Sequence, residues 1–322
     1  MVAYEFYVFV LLLKRNSKVA IHFIPPSVLR MKNTLLVGIF LLLAGISGAQ
    51  ALPEIGIIQK TKWENTQLGK GLRWQHFHFK NKELFASNQN IHILRFKNNS
   101  RKWQISLISG GDELYLTSEM AIHQRAIAAV NGSFFDMKNG GAVDYIRIEG
   151  QILDTNRLTG GKLSFHQKSA IAIVDNKLEI LRQEDSLDTK WAEKQNYKNM
   201  MVTGPLLLWK GTDAPLSKIA FNDNRHPRTC ACVTAKGEVL LLTADGRSAE
   251  AQGLSLTELT IILKALGCRD AVNFDGGGST TMYVAGQAFN GVVNMPCDNK
   301  KFDHEGERKV SNILLIKPIS AR

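Results

Sequence analysis

Between Leu72 and Ile108 the chain alternates apolar and polar residues with period two. The runs are Leu72-Arg73-Trp74-Gln75-His76-Phe77-His78-Phe79, Ile91-His92-Ile93-Leu94-Arg95-Phe96 and Trp103-Gln104-Ile105-Ser106-Leu107-Ile108. Successive side chains of a strand point to opposite faces, so this pattern, rich in aromatic and β-branched residues, specifies strands. Short apolar runs bounded by turn residues extend the reading to Ala126–Val130, Ala170–Val174, Met201–Val202, Leu206–Trp209, Cys230–Thr234, Val239–Thr243, Ala271–Phe274, Thr281–Val284 and Ile313–Ile316. Thr117-Ser118-Glu119-Met120 opens a short helical stretch. One longer helix carries start, face and stop signals together: the capping-box pattern Ser255-Leu256-Thr257-Glu258, then Leu259, Leu263 and Leu266 at helical spacing, then Gly267. The expected fold class is α+β, strand-dominated mixed sheets with a few packed helices. The polar stretch 181–200 reads as a surface excursion.

Export is written into the N-terminus. Met31-Lys32-Asn33, the apolar run Leu35 to Ile46 and the Ala49-Gln50-Ala51 ending form a signal peptide over 31–51, cleaved before Leu52. Residues 1–30 read as an upstream mis-start, so 1–51 is the export region, and no stable membrane span is expected after cleavage. The protein is then periplasmic or extracellular, divided into a strand-rich part, 52–115, and a motif-bearing domain, 116–322. The formal charge of +11 falls to +7 without the export region. A surplus so thinly spread suits anionic ligands and not nucleic acid. Export also permits disulfides among Cys230, Cys232, Cys268 and Cys297, although Cys230 and Cys232, two residues apart in a strand, are badly placed to bridge each other. His76 and His78 share a strand face without a third ligand and read as surface histidines.

Chemistry is expected where apolar strands run into polar, glycine-rich segments. Val130-Asn131-Gly132-Ser133-Phe134-Phe135-Asp136 offers an amide and a carboxylate for sugar hydroxyls with aromatic walls, or else a glycine turn with an aromatic plug. Arg228, at the entrance to the cysteine strand, suits phosphate through its guanidinium fork. Ala244-Asp245-Gly246-Arg247 places a carboxylate and a cation together. Asn273-Phe274-Asp275-Gly276-Gly277-Gly278-Ser279-Thr280 is the least ordinary segment, because three glycines in a row lose much backbone entropy on folding. Asp275 and Asp245 each end an apolar strand and can converge as a carboxylate pair. Neither G-x-S-x-G nor a P-loop is present.

Together with Thr203-Gly204-Pro205, Pro227-Arg228-Thr229, Gly253-Leu254-Ser255-Leu256-Thr257-Glu258-Leu259 and Val310-Ser311-Asn312, these motifs give a chain that resembles the phosphodiester glycosidase family from about residue 115 to 317. The resemblance implies hydrolysis of a sugar 1-phosphodiester, with α-N-acetylglucosamine one candidate sugar, to free sugar and a phosphomonoester. Asp275, Asp245, Arg228 and Arg247 are the expected catalytic set. Substrate binding is expected from Asn131, Gly132, Phe135, Asp136, Gly204, Thr229, Glu258, Gly276, Gly277, Gly278, Ser279, Thr280 and Ser311. The glycine amides suit an anion nest, and Glu258 competes between substrate and its capping role. No cofactor is required, while Asp and Asn side chains leave room for a structural Ca²⁺. Two other readings use the same residues. A glycosidase on cell-wall or exopolysaccharide linkages keeps the carboxylates and relaxes the arginines; a non-catalytic glycan-binding envelope protein needs no carboxylate pair.

Overall fold

Apolar runs that do not alternate, such as Val239-Leu240-Leu241-Leu242, need a sheet buried on both faces, and the computed structural model shows one. It describes residues 53–319; the export segment 1–51 lies outside the described residues. Eight antiparallel strands follow in the spatial order Glu64–Gly69, Leu72–Leu84, Ser87–Lys97, Glu238–Ala244, Arg228–Thr234, Cys268–Asn273, Leu206–Trp209 and Thr212–Asp213. On one face Leu94, Phe96, Ala231, Leu241 and Val272 pack against Ile105, Leu107, Val130, Ile171 and Leu314 of two smaller sheets. On the other face Ile91, Ile93, Cys230, Leu240 and Leu242 pack against the helices Leu256–Ala265 and Pro53–Lys60. Consecutive residues of the central strands thus serve two cores, and the architecture is α+β.

One smaller sheet runs Lys177–Arg182, Ser169–Val174, Asn199–Val202, Ile146–Ile148, Gln151–Asp154; the other runs Met282–Val284, Ala128–Asn131, Asn312–Pro318, Trp103–Ser109. Residues 53–115 are woven into these layers. Ser87–Lys97 pairs with Glu238–Ala244, from Lys97 opposite Glu238 to Ile91 opposite Ala244, and Trp103–Ser109 pairs with Asn312–Pro318. The N-terminal strand-rich part therefore shares its sheets with the motif-bearing residues.

The helix Leu256–Ala265 begins as its sequence demands. Glu258 N donates to Ser255 Oγ at 3.2 Å, and Ser255 N donates to Glu258 Oε2 at 2.9 Å. Leu256, Leu259, Ile262 and Leu263 are buried, and Gly267 follows at φ +85°. Cys232 and Cys268 bridge neighbouring strands with Cα atoms 5.8 Å apart, leaving Cys230 and Cys297 as buried thiols. The 181–200 stretch is more than a surface excursion, since Trp191 and Ala192 are buried and the Trp191 indole donates to Gln167 O at 2.9 Å. Among the described residues no helix is long and apolar enough to cross a membrane.

Leu263 is fully buried in the helix-side core. Leu263→Ala is expected to lower unfolding stability by about 2–5 kcal/mol, read as a lower urea midpoint with an unchanged slope.

Candidate active site

The three main sheets meet where Ala128–Asn131, Cys268–Asn273 and Asn199–Val202 end, and backbone hydrogen bonds tie those ends together. Asp275 N donates to Gly132 O at 3.0 Å, Asn273 N to Pro205 O at 3.0 Å, and Gly277 N to Pro227 O at 2.9 Å. The Asn131 carboxamide sits at the centre. Its Nδ2 donates to Asp275 O at 2.7 Å, and its Oδ1 accepts from Thr229 Oγ1 at 2.7 Å and Thr281 N at 3.2 Å. Asn131 and Thr229, both expected to touch substrate, are buried and face each other. Their position is that of a brace behind the site.

The glycines show why no larger residue stands there. A Cβ on Gly276 would lie 2.6 Å from Pro227 O, and one on Gly277, at φ +61°, would lie 2.9 Å from Arg247 Nη2. A Cβ on Gly278 would meet the Arg308 guanidinium at 2.5 Å. Two cations therefore lie directly against the loop. Arg247 is exposed and sits in the left-handed backbone region at φ +65°, uncommon for a residue with a side chain. Its Nη1 approaches Cys297 Sγ at 3.8 Å. Arg308, missed by sequence reading, is half-buried and anchored by ion pairing to Asp298. The anion nest is narrower than expected. Gly276 N donates to Asp275 Oδ1 and Gly277 N to Pro227 O, so of the three glycine amides only Gly278 N makes no hydrogen bond among the described residues.

Asp275 is half-buried at the head of this loop. Burial pushes its carboxyl up to about 6, opposed by the Gly276 amide and the Arg308 charge. Asp245, the expected partner carboxylate, is engaged elsewhere. It accepts from Asn294 Nδ2 at 2.8 Å, Asn90 Nδ2 at 2.7 Å and Met295 N at 3.0 Å, and is almost wholly buried. Asn294 also donates to Thr280 O and accepts from Met282 N, so Asp245 holds the exit of the glycine loop.

Asp144 is fully buried. Its Oδ1 accepts from Gln167 Nε2 at 2.9 Å and lies 3.0 Å from His166 Nε2. Desolvation drives its carboxyl up, against the pull of His166. The His166 ring packs against Phe134 with centroids 4.3 Å apart, and Phe221 closes the group 5.8 Å from Phe134 and 5.1 Å from Phe165. The backbone of His166 in turn packs on Gly204, where a Cβ would lie 2.7 Å from His166 O. Neither Asp144 nor His166 has a motif around it. Arg308 stands three residues before Ser311, and that proximity was the one available signal.

Arg228 has a different place from the phosphate cradle expected of it. It is fully buried under the aromatic wall, its guanidinium 4.8 Å from the Phe221 ring centroid. Nε donates to Leu254 O at 2.8 Å, and Nη2 donates to Phe221 O at 2.6 Å and Asn224 O at 3.0 Å. Burial lowers this guanidinium to about 10, so it remains a cation at neutral pH. Glu258 caps its helix and pairs with Arg225 at 2.6 Å. Asp136 accepts from Asn139 Nδ2, Asn139 N, Arg157 Nη1 and Lys138 N, and these bonds hold its carboxyl far below the usual range. Phe135 packs against the core beside Ile313 and Leu315. Ser311 accepts from Asn312 Nδ2 at 2.7 Å, and Asn312 in turn grips Gly132 and Ser133. Ser279 and Thr280 are buried, and their hydroxyl oxygens find no partner among the described residues. Two open clefts, of about 410 and 710 Å³, lie at the opposite end of the eight-stranded sheet, lined by residues such as Lys210 and Lys236.

The phosphodiester glycosidase family model matches residues 124–317. The catalytic domain of zebrafish N-acetylglucosamine-1-phosphodiester alpha-N-acetylglucosaminidase, in a structure auto-inhibited by its pro-peptide, superposes with a TM-score of 0.59 at 20% identity, covering 79% of this chain and 87% of that one. A hypothetical protein from Synechocystis gives a TM-score of 0.56 at 15% identity, over 80% of this chain and 64% of that one. Among curated proteins, an SPbeta prophage-derived uncharacterized protein of Bacillus subtilis, YomE, is 26% identical over 180 residues. That match takes in 54% of this chain and 26% of the relative, so the chain spans about a quarter of the relative's length.

Because Asp245 satisfies two buried amides and a backbone N–H, Asp245→Ala leaves three donors stranded. A loss of roughly 1–3 kcal/mol or more in unfolding stability is expected, measured by denaturant titration beside the wild type.

Proposed function

The chain belongs to the phosphodiester glycosidase family, and from that membership we propose that it hydrolyses a sugar 1-phosphodiester, releasing free sugar and a phosphomonoester. The reading extends to α-N-acetylglucosamine as a candidate sugar and to action after export, in the periplasm or outside the cell. The observation that carries it is the glycine loop with Arg247 and Arg308 against Gly277 and Gly278 and the Asp275 carboxyl at its head.

The chemistry follows from the leaving group. A phosphomonoester is a weak base, so the departing oxygen needs charge neutralisation more than a proton. Arg247, Arg308 and the Gly278 amide meet that need through charge-assisted hydrogen bonds that strengthen as negative charge develops. Positive charge builds at the same time on the anomeric carbon, and ionised Asp275 stabilises it. The Ser279 and Thr280 hydroxyls supply contacts to phosphate or sugar. Phe134 and Phe221 wall the sugar side, braced from beneath by Arg228. No cofactor enters this scheme.

The test is release of free sugar from a panel of sugar 1-phosphodiesters, UDP-N-acetylglucosamine included. Asp275→Asn is expected to abolish release while leaving the unfolding transition in place; an active Asp275→Asn overturns the assignment. Release only from glycans without phosphate turns the reading to a cell-wall or exopolysaccharide glycosidase, and binding without turnover turns it to a glycan-binding protein.

Two further outcomes are expected. Since Asp275 must be ionised and burial raises its carboxyl to about 6, kcat/KM should be level above that pH and fall about tenfold per unit below it. Arg247→Ala and Arg308→Ala should each weaken kcat/KM by roughly tenfold to a hundredfold, the scale of a hydrogen bond to a charged group, and the loss should shrink on a neutral aryl glycoside.

A further inference from the structure

Exposed apolar side chains gather beside one of the arginines of the glycine loop. Of the nine large ones among the described residues, Met137, Ile152, Leu153 and Leu158 fall between positions 137 and 158. Tertiary bonds fold that stretch onto itself. Asp136 Oδ2 pairs with Arg157 Nη1 at 2.6 Å, Arg157 N donates to Val143 O at 2.9 Å, and Ala142 N donates to Asp154 Oδ2 at 3.2 Å. Met137 and Leu158 each follow one member of the Asp136–Arg157 pair, and Ile152 and Leu153 stand just before Asp154. Met137 reaches the glycine loop through Arg308, its Sδ lying 3.7 Å from Arg308 Nη1. The backbone of its turn is held from several sides. Gly140 N donates to Asp136 O at 2.9 Å, Asp136 N donates to Gly141 O at 3.0 Å, and a Cβ on Gly140 would collide with Asp112 O. A side chain 64% exposed thus projects from a fixed turn directly beside a cation of the site. Grouped exposed apolar residues of this kind mark binding surfaces.

A phosphodiester joins two alcohols. One is the sugar, received by the Phe134 and Phe221 wall in the reading above; the other must leave the arginines by a different side. Met137 touches Arg308 and stays open to solvent, so it stands on such a side. A pair of cations bordered by apolar side chains complements an amphiphile with an anionic head. We propose that Met137 and Leu158, together with Ile152 and Leu153, form a subsite for the second alcohol, and that this alcohol is a long apolar chain. The phosphomonoester that departs then carries the chain with it. This inference rests on the phosphodiester reading above and names the class of its second alcohol.

Chain length is the variable to test, using the methyl and hexyl phosphodiesters of one sugar, both below their aggregation concentrations. A fully buried methylene is worth about fourfold in affinity. KM for the hexyl diester is therefore expected to lie roughly tenfold or more below that for the methyl diester, with kcat nearly unchanged. The double variant Met137→Ser, Leu158→Ser should bring the two KM values to within about threefold of each other. Leu187→Ser, a change at an exposed leucine outside this stretch, should keep the preference. Equal wild-type KM values, with both diesters turned over, overturn this proposal and leave the phosphodiester reading standing. So does a hexyl preference that the double variant retains. A wild-type dimer that sediments as a monomer in the double variant, with no preference for chain length, assigns these residues to a second copy of the chain and overturns the proposal as well. Should the double variant fail to fold, Met137→Gln and Leu158→Gln decide singly by the same criterion. Turnover of no diester at all removes the phosphodiester reading, and this proposal with it.

Discussion

A single buried carboxamide holds this molecule's working end together. Asn131 is the last residue of a strand in the four-stranded sheet, and its side chain grips Thr229 in the eight-stranded sheet, the carbonyl of Asp275 and the amide of Thr281. In a dry interior each of those bonds is strong and each orphaned partner costly. The two sheets therefore cannot slide past each other without breaking the bonds to Thr229 and Asp275 together, while the bond to Thr281 ties the loop's exit to the strand of Asn131 itself. Everything between them, including the glycine loop and Asp275, inherits that rigidity, which a site needs to hold reacting groups to a fraction of an ångström.

Charge in the site is sorted by how it is satisfied. Asp245 and Asp275 each follow an apolar strand of the eight-stranded sheet and look alike in sequence, yet Asp245 is saturated by two amides and a backbone N–H while Asp275 is only half-buried. Saturation makes the first a structural pin; partial burial makes the second a group whose ionisation responds to what binds. The arginines divide in the same way. Arg228 donates to three backbone carbonyls beneath an aromatic wall, whereas Arg247 and Arg308 lie over the loop that has no side chains to keep them away.

Much of the fold was legible. The period-two runs became strands, and the Ser255 capping box opened the helix it predicted, because both signals depend on neighbours within a few residues. The motifs were also found together at the sheet ends. Individual roles were less legible. Asn131, Thr229, Asp136, Glu258 and Ser311 were expected to face substrate, and each is engaged by protein groups: the Thr229 hydroxyl, the Asn131 amide, the 138–139 turn, Arg225 and Asn312. Sequence shows that a polar residue is available, but not whether a partner from a distant strand already claims it. Asp144 and His166 are 22 positions apart with no pattern around either, so nothing local could have paired them.

What the sequence by itself determined was the α+β class, the helix and its cap, and the family, since local periodicity, capping chemistry and ordered motifs are properties of short segments. Only the tertiary structure decided which carboxylate stands open, which arginines face the glycine loop and which histidine is held by a buried acid. Those are questions of distance and desolvation between residues far apart in the chain. They are answered when the sheets close on one another and water is removed from some polar groups and left to others.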